Sequence, residues 1–227
     1  PVFNTTLQKS GQRVMITPLL LTAAENPVRA KTLGEVLGDK QGSLDLSIWT
    51  AARLAASFPY VSPAARAMSE NGEMLKFGQH RLLDGGYSDN QGIASALDCL
   101  NELVKAGSQK FKKIAILEAD PFPAGEVDSV AGPSLGGADW LVQLFGPPQT
   151  AIRALFRTQK DRNKREIRSF ADQAQPIQVE SFRFAPSQDC PAPLSWHLTQ
   201  DERKKLQDGW HKGNNPKILE ELVQFLE

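Results

Sequence analysis

A carboxylate followed by two residues without side chains, Asp84-Gly85-Gly86, sits between the apolar pair Leu82-Leu83 and a stretch in which Ile93, Leu97, Leu100 and Val104 recur at helical spacing. The order reads as strand, sharp turn, helix. Glycine tolerates positive φ and lets a backbone or a ligand come close, so a strand ending in Asp-Gly-Gly can hold a carboxylate at the edge of a cleft. On its own the triplet is more often a plain structural turn, since Asp-Gly is a common turn dipeptide.

The composition limits what can surround that turn. At 227 residues the chain can build one sizeable core or two small ones. Lys plus Arg and Asp plus Glu both number 26, so no net field favours nucleic acid or an acidic partner. A hydrophobic content of 41% with 15 prolines describes a globular protein with much loop. The apolar run around Pro18-Leu19-Leu20-Leu21 falls far short of the roughly 20 residues that span a bilayer. No signal peptide is visible, so a cytoplasmic or membrane-surface location is expected. Cys99 and Cys190 lack metal-ligand spacing and read as free thiols, which fits a reducing compartment. Pro1 followed at once by strand-like Val2-Phe3 suggests a chain that starts mid-fold.

Along the chain, Pro1 to Phe3 and Arg13 to Ile16 read as the strands of a hairpin with an open polar loop between them. Residues 27–43 read as loop with one helical turn, and Leu46 to Ala56 as an Ala-rich helix stopped before Pro59. Lys113 to Asp120 reads as a buried strand; the order strand, helix, strand then predicts an α/β fold with an at least partly parallel sheet. Pro121 to Gly137 reads as a mobile surface loop. Thr150 to Ala171 reads as a long helix whose apolar positions Ile152, Leu155, Phe156, Ile167 and Phe170 are interrupted by a polar gap. Ile177 to Phe184 alternates as a half-buried strand. Thr199-Gln200-Asp201-Glu202 is a capping box for the next helix, and Pro216 opens a last helix with Ile218, Leu219, Leu222 and Phe225 on one side.

A second motif precedes the Asp-Gly-Gly turn by about twenty residues: Ala51-Ala52-Arg53-Leu54-Ala55-Ala56-Ser57-Phe58-Pro59-Tyr60-Val61-Ser62-Pro63. Together the two segments resemble the patatin-like phospholipases. In that family an Ala-rich helix carries an Arg six residues before a Pro, with another Pro four further on, and Arg53, Pro59 and Pro63 match that spacing. The Asp-Gly-Gly triplet follows, with an Asn four residues after its last Gly, here Asn90. Phe3-Asn4-Thr5-Thr6 with Gly11 is similar to the family's strand and Asn-x-Thr turn, and Pro193 to Thr199 is similar to a C-terminal segment of some larger bacterial members. Gly92 departs from the pattern, because many relatives have Pro there.

The resemblance implies a patatin-like, three-layer α/β domain with a mixed, largely parallel sheet, present here as its C-terminal portion. Residues 1–120 would be that portion, 121–149 a Pro/Gly-rich loop, and 150–227 a helical and strand extension packed on the same domain. It also implies a hydrolase of lipid degradation, cleaving fatty-acyl esters of phospholipids or other lipids through an acyl-enzyme. A Ser-Asp dyad would do the work without His, cofactor or metal. Asp84 takes the role of base, with Gly85, Gly86 and Asn90 as the supporting turn. A hydroxyl becomes an effective nucleophile when an adjacent base takes its proton, and partial desolvation in a lipid cleft raises the basicity of a carboxylate. Asp89, the rival carboxylate, reads as a cap of the following helix.

The nucleophile is expected outside this chain, because no Gly-x-Ser-x-Gly elbow precedes Asp84. The copy at Gly132-Pro133-Ser134-Leu135-Gly136 follows a Pro-rich loop and lies downstream, which is the wrong order. Ser57 reads as a helix terminator. Of the histidines, His80 shares a strand face with Asp84 but stands more than roughly 10 Å from it by strand rise, while His197 and His211 read as packing or surface positions. The expected partners are a lipid or phospholipid substrate and an N-terminal portion of the same domain that supplies the Ser. Arg153, Arg157, Lys160, Arg162, Lys164, Arg165 and Arg168 suggest a peripheral membrane contact, against the commoner reading of a solvated helix face. No nucleic acid is expected. The alternative is a non-catalytic patatin-fold scaffold or lipid-binding module.

Overall fold

The computed structural model describes residues 1–19, 29–38, 46–57, 80–107, 110–120, 139–187 and 198–227. The chain is mixed α/β, and its contacts divide it into two compact units: Pro1–Ser108 with Gln159–Phe170, and Gln109–Thr158 with Ala171–Glu227.

The first unit is built on a four-stranded sheet in the order β3-β2-β1-β4. Strands β1 (Phe3–Leu7) and β2 (Arg13–Ile16) form the expected hairpin, in register from Phe3 opposite Ile16 to Thr6 opposite Arg13. The polar residues Asn4, Thr5 and Thr6, expected in the loop, lie inside β1. The reason is chemical, since β1 is flanked on both sides. Its threonines are buried with satisfied hydroxyls: Thr5 Oγ1 donates to the Leu83 carbonyl at 2.6 Å and Thr6 Oγ1 to the Asp84 carbonyl at 3.0 Å.

Strand β3 (Lys31–Thr32) pairs in parallel with β2 and leads into α1 (Leu33–Leu37), the single helical turn foreseen for this region. Thr32 and Glu35 close a capping box on it. Helix α2 (Ile48–Ala55) starts at the Ser47 cap and buries Ala51. Val14, Ile16, Leu33, Ala51 and Leu82 make the core, with Phe3, Leu7, Val36, Leu37, Leu46 and Leu54 packed around it. Strand β4 (Leu82–Asp84) runs antiparallel to β1, so two of the three pairings in this sheet are antiparallel. One turn of helix, α3 (Gly86–Asp89), follows, and then α4 (Ile93–Gly107), which buries Ile93, Ala94, Ser95 and Leu97 at its start.

The second unit holds a two-stranded parallel sheet of β5 (Lys113–Ala119) and β6 (Gln178–Phe184), paired from Lys113 opposite Gln178 to Ala119 opposite Phe184. The strand-helix-strand order therefore does not put β4 and β5 in one sheet: β5 pairs with β6, and both sheets are small. Nor is β5 a buried strand, because it buries Ile116 and leaves Leu117 60% exposed. Helix α5 (Asp139–Gln173) starts eleven residues before the expected Thr150 and runs through Pro147 and Pro148; its residues 159–170 count with the first unit.

Helices α6 (Gln200–Lys212) and α7 (Asn215–Leu226) complete the second unit. The capping box is formed as read: Glu202 N–H donates to Thr199 Oγ1 at 3.3 Å, and Thr199 N–H to Glu202 Oε2 at 2.7 Å. Pro216 opens α7, which packs on β6 with Phe225 5.6 Å from Phe182 between ring centres. Trp210 stacks on Phe184 at 5.4 Å, and His211 is exposed. Among the described residues no helix is long and apolar enough to cross a membrane.

Candidate functional site

Asp84 is the last residue of β4, and its backbone is fixed on two sides. Its carbonyl accepts from Thr6 Oγ1, and its N–H donates to the Ser57 carbonyl at 2.9 Å. The next N–H, that of Gly85, donates to the Ala55 carbonyl at 3.1 Å. These two bonds bring the end of the Ala-rich helix α2 against the Asp-Gly-Gly turn, so the two segments singled out in the sequence are spatial neighbours. Ser57 is committed as a terminator: it is buried, and its Oγ donates to the Arg53 carbonyl at 2.9 Å, one turn back in α2. Pro59, Pro63, the Ser134 segment and residues 193–197 lie outside the described residues.

The glycines are required by contact rather than by positive φ. Gly85 is in the ordinary helical region at φ −61. A Cβ there would stand 2.5 Å from the Asn4 carbonyl oxygen, a distance no side chain survives. A Cβ on Gly86 would meet Asn90 Oδ1 at 2.8 Å and Asp84 Oδ1 at 2.9 Å. Both side-chain oxygens thus crowd the bare face of Gly86. Gly92 is the residue that needs glycine conformationally, with φ +71, and its missing side chain leaves room for Asn4 Nδ2.

The Asp84 carboxylate is half-buried and, among the described residues, held by one bond, in which the Gly86 N–H donates to Oδ1 at 2.7 Å. Among the described residues Oδ2 receives no hydrogen bond. Asp89 has the opposite environment: its side chain is fully buried and its oxygens are occupied. Oδ1 accepts from Ala94 N–H at 3.3 Å, and Oδ2 from Ser95 N–H at 2.9 Å and from Arg13 at 3.5 Å. Asp89 therefore caps the start of α4, the role read for it, although it does so from outside the formal cap position. Arg13 also donates to Asp98 at 2.8 Å, and Asp98 in turn accepts from Ala30 N–H. Beside this cluster, burial and then the Asp98 charge push the Cys99 thiol above its ordinary value.

His80 is not on the strand with Asp84, because β4 begins at Leu82. Among the described residues no serine hydroxyl or histidine bonds to the Asp84 carboxylate. Ser88 Oγ instead pairs with Thr6 Oγ1 at 2.8 Å. Nor does any group of three or more His, Cys, Asp or Glu among the described residues form a candidate metal cluster.

What the sequence reading did not foresee is a set of polar side chains reaching the turn from α5. Gln159 and Asn163 are buried at the polar gap in that helix, one turn apart and in phase with buried Ile167 and Phe170. Gln159 bonds to the backbone of Gly86, Tyr87 and Asn90, Asn163 Nδ2 donates to Gln91 Oε1 at 3.0 Å, and Arg162 donates to the Ser88 carbonyl at 3.3 Å. Polar residues in phase with the apolar ones were the available signal. The basic run is correspondingly not one uniform face: Arg162 is drawn onto the turn, while Arg157, Lys164, Arg165 and Arg168 are exposed.

No family model matches the chain, and neither a curated protein nor a solved structure matches it.

Proposed function

We propose that this chain is part of a serine lipid acyl hydrolase of the patatin-like kind, with the nucleophilic Ser outside these 227 residues and Asp84 as its base. The observation that carries the reading is the division of labour between the two carboxylates of the turn. Asp89 accepts on both oxygens, from a guanidinium and two backbone N–H groups. Asp84 has one oxygen anchored on Gly86 N–H, and the other has no donor among the described residues. A general base needs that combination: a fixed position and an oxygen able to take a proton.

The chemistry then runs in two halves. As the Ser oxygen attacks the acyl carbonyl, its proton passes to Asp84, and the departing alcohol takes that proton up as the acyl-enzyme forms. Water attacks the acyl-enzyme next, giving its proton to the same carboxylate, which returns it to the Ser oxygen as the fatty acid leaves. The backbone bonds to Ser57 and Ala55 hold the base still during both halves. Patatin-like three-layer architecture belongs to the same proposal, supported by the adjacency of α2 to the turn and by the small mixed sheet that carries it. The exposed basic residues of α5 suit a peripheral contact with the anionic surface on which such a substrate is presented.

Acylation tests the proposal directly. With the full-length protein and a slowly deacylated ester, mass spectrometry should detect one acyl group on a serine, and Asp84→Asn should abolish its accumulation. Equal acylation of both proteins contradicts the assignment of the base.

A further inference from the structure

Helix α3 is a single turn, and its ordinary continuation would have the Asn90 N–H donate to the Gly86 carbonyl four residues back. Gln159 engages both of its ends. Asn90 N–H donates to Gln159 Oε1 at 2.9 Å, and the Gly86 carbonyl accepts from Gln159 Nε2 at 3.2 Å. The carboxamide of Gln159 bridges the two groups, with its oxygen on the donor and its nitrogen on the acceptor. Its nitrogen also donates to the Tyr87 carbonyl at 3.0 Å. A carboxamide offers two N–H donors and one oxygen, and each is used on backbone.

Gln159 is 5% exposed, so it is spent on this turn and not presented to a ligand. Gly86 is thereby gripped at both ends: its N–H carries the Asp84 carboxylate and its carbonyl is tied to Gln159. Asn90, whose Oδ1 faces the same bare side of Gly86, is tied through its N–H. A one-turn helix held by its own bonds alone frays readily, because so few bonds are made for the dihedrals fixed.

We propose that Gln159 is the positioning residue of the Asp84 turn, holding Gly86 and Asn90 in the conformation that aims the carboxylate. The catalytic part of this role rests on the reading of Asp84 as base. Loss of Gln159 lets the turn fray and moves the carboxylate by a fraction of an ångström to an ångström, a displacement that costs on the order of 100-fold in rate when a catalytic group must be aligned.

Two measurements on Gln159→Ala test it. In the full-length protein, amide hydrogen exchange of Asn90 should be at least about tenfold faster than in the parent sequence, as for a bond at a fraying end. In the full-length protein, kcat for ester hydrolysis should fall roughly 10- to 100-fold with KM within about twofold, because positioning and not binding is lost. Gln159→Glu keeps the volume and the acceptor for Asn90 but turns a charge toward two carbonyls, and should lower kcat similarly even if the Ala variant folds poorly. Unchanged Asn90 exchange overturns the proposal, as does an unchanged kcat in a protein that Asp84→Asn inactivates. If Asp84→Asn is fully active while Asn90 exchange still accelerates in Gln159→Ala, the positioning of the turn stands and the catalytic reading falls.

Discussion

The N–H of Asp84 donates to the carbonyl of Ser57 at 2.9 Å, which makes the end of α2 the neighbour of the Asp-Gly-Gly turn. Ser57 and Asp84 are 27 residues apart in sequence, yet their segments form one hydrogen-bonded unit in space. A change in either should therefore be felt by the other.

Gly85→Ala should destabilise the first unit by roughly 1–3 kcal/mol, because the added Cβ meets the Asn4 backbone and not a movable side-chain tip. Gly92→Pro should cost about 3 kcal/mol or more: the proline ring requires φ near −65°, the residue stands at +71, and its N–H donates to the Asp89 carbonyl. Urea unfolding of the two variants checks both figures, and wild-type midpoints would show that the turn is not as close-packed as described.

The two carboxylates should separate cleanly in stability. Asp89→Ala removes the weaker of two carboxylates on Arg13 and leaves two buried N–H groups of α4 without their acceptor, which costs about 1–3 kcal/mol. Asp84→Asn keeps an oxygen for the Gly86 N–H and should change stability by less than about 1 kcal/mol. Thermal melts that rank the two in the opposite order would contradict the assignment of Asp89 as structural and Asp84 as spare.

Acid should loosen two helix starts. The bonds from the Thr199 backbone and hydroxyl hold the Glu202 carboxyl below its ordinary 4.5. At Glu35, burial raises the carboxyl, but the bonds from Arg29 and Thr32 outweigh it and the net direction is down. A carboxyl lowered on folding stabilises fully above its unfolded value and loses that contribution as pH falls through its lower folded value. The loss therefore belongs to pH below about 4.5. Glu202→Gln should flatten the acid dependence of α6 amide protection over that range, and an unchanged profile would show that the box does not titrate with the helix.

The parts that were legible in the sequence are those set by residues close together in it. Thr199 and Glu202 satisfy each other across one turn, Pro216 opens α7, and Asp89 reaches N–H groups five and six residues on. Strand partners are not local in this sense. Nothing in Leu82–Asp84 states that it pairs with Thr5–Leu7, or that Lys113–Ala119 pairs with Gln178–Phe184. Periodicity likewise showed a gap in the apolar face of α5, but it could not show that Gln159 fills the gap by bonding to a turn about seventy residues earlier.

The assignment of Asp84 as catalytic base is tested most directly by fatty-acid release from a phospholipid by the full-length protein and its Asp84→Asn variant, at matched folding. The account predicts a loss of roughly 10²- to 10⁴-fold in kcat, the usual contribution of a general base, with the unfolding midpoint nearly unchanged. Equal turnover by both proteins would contradict it.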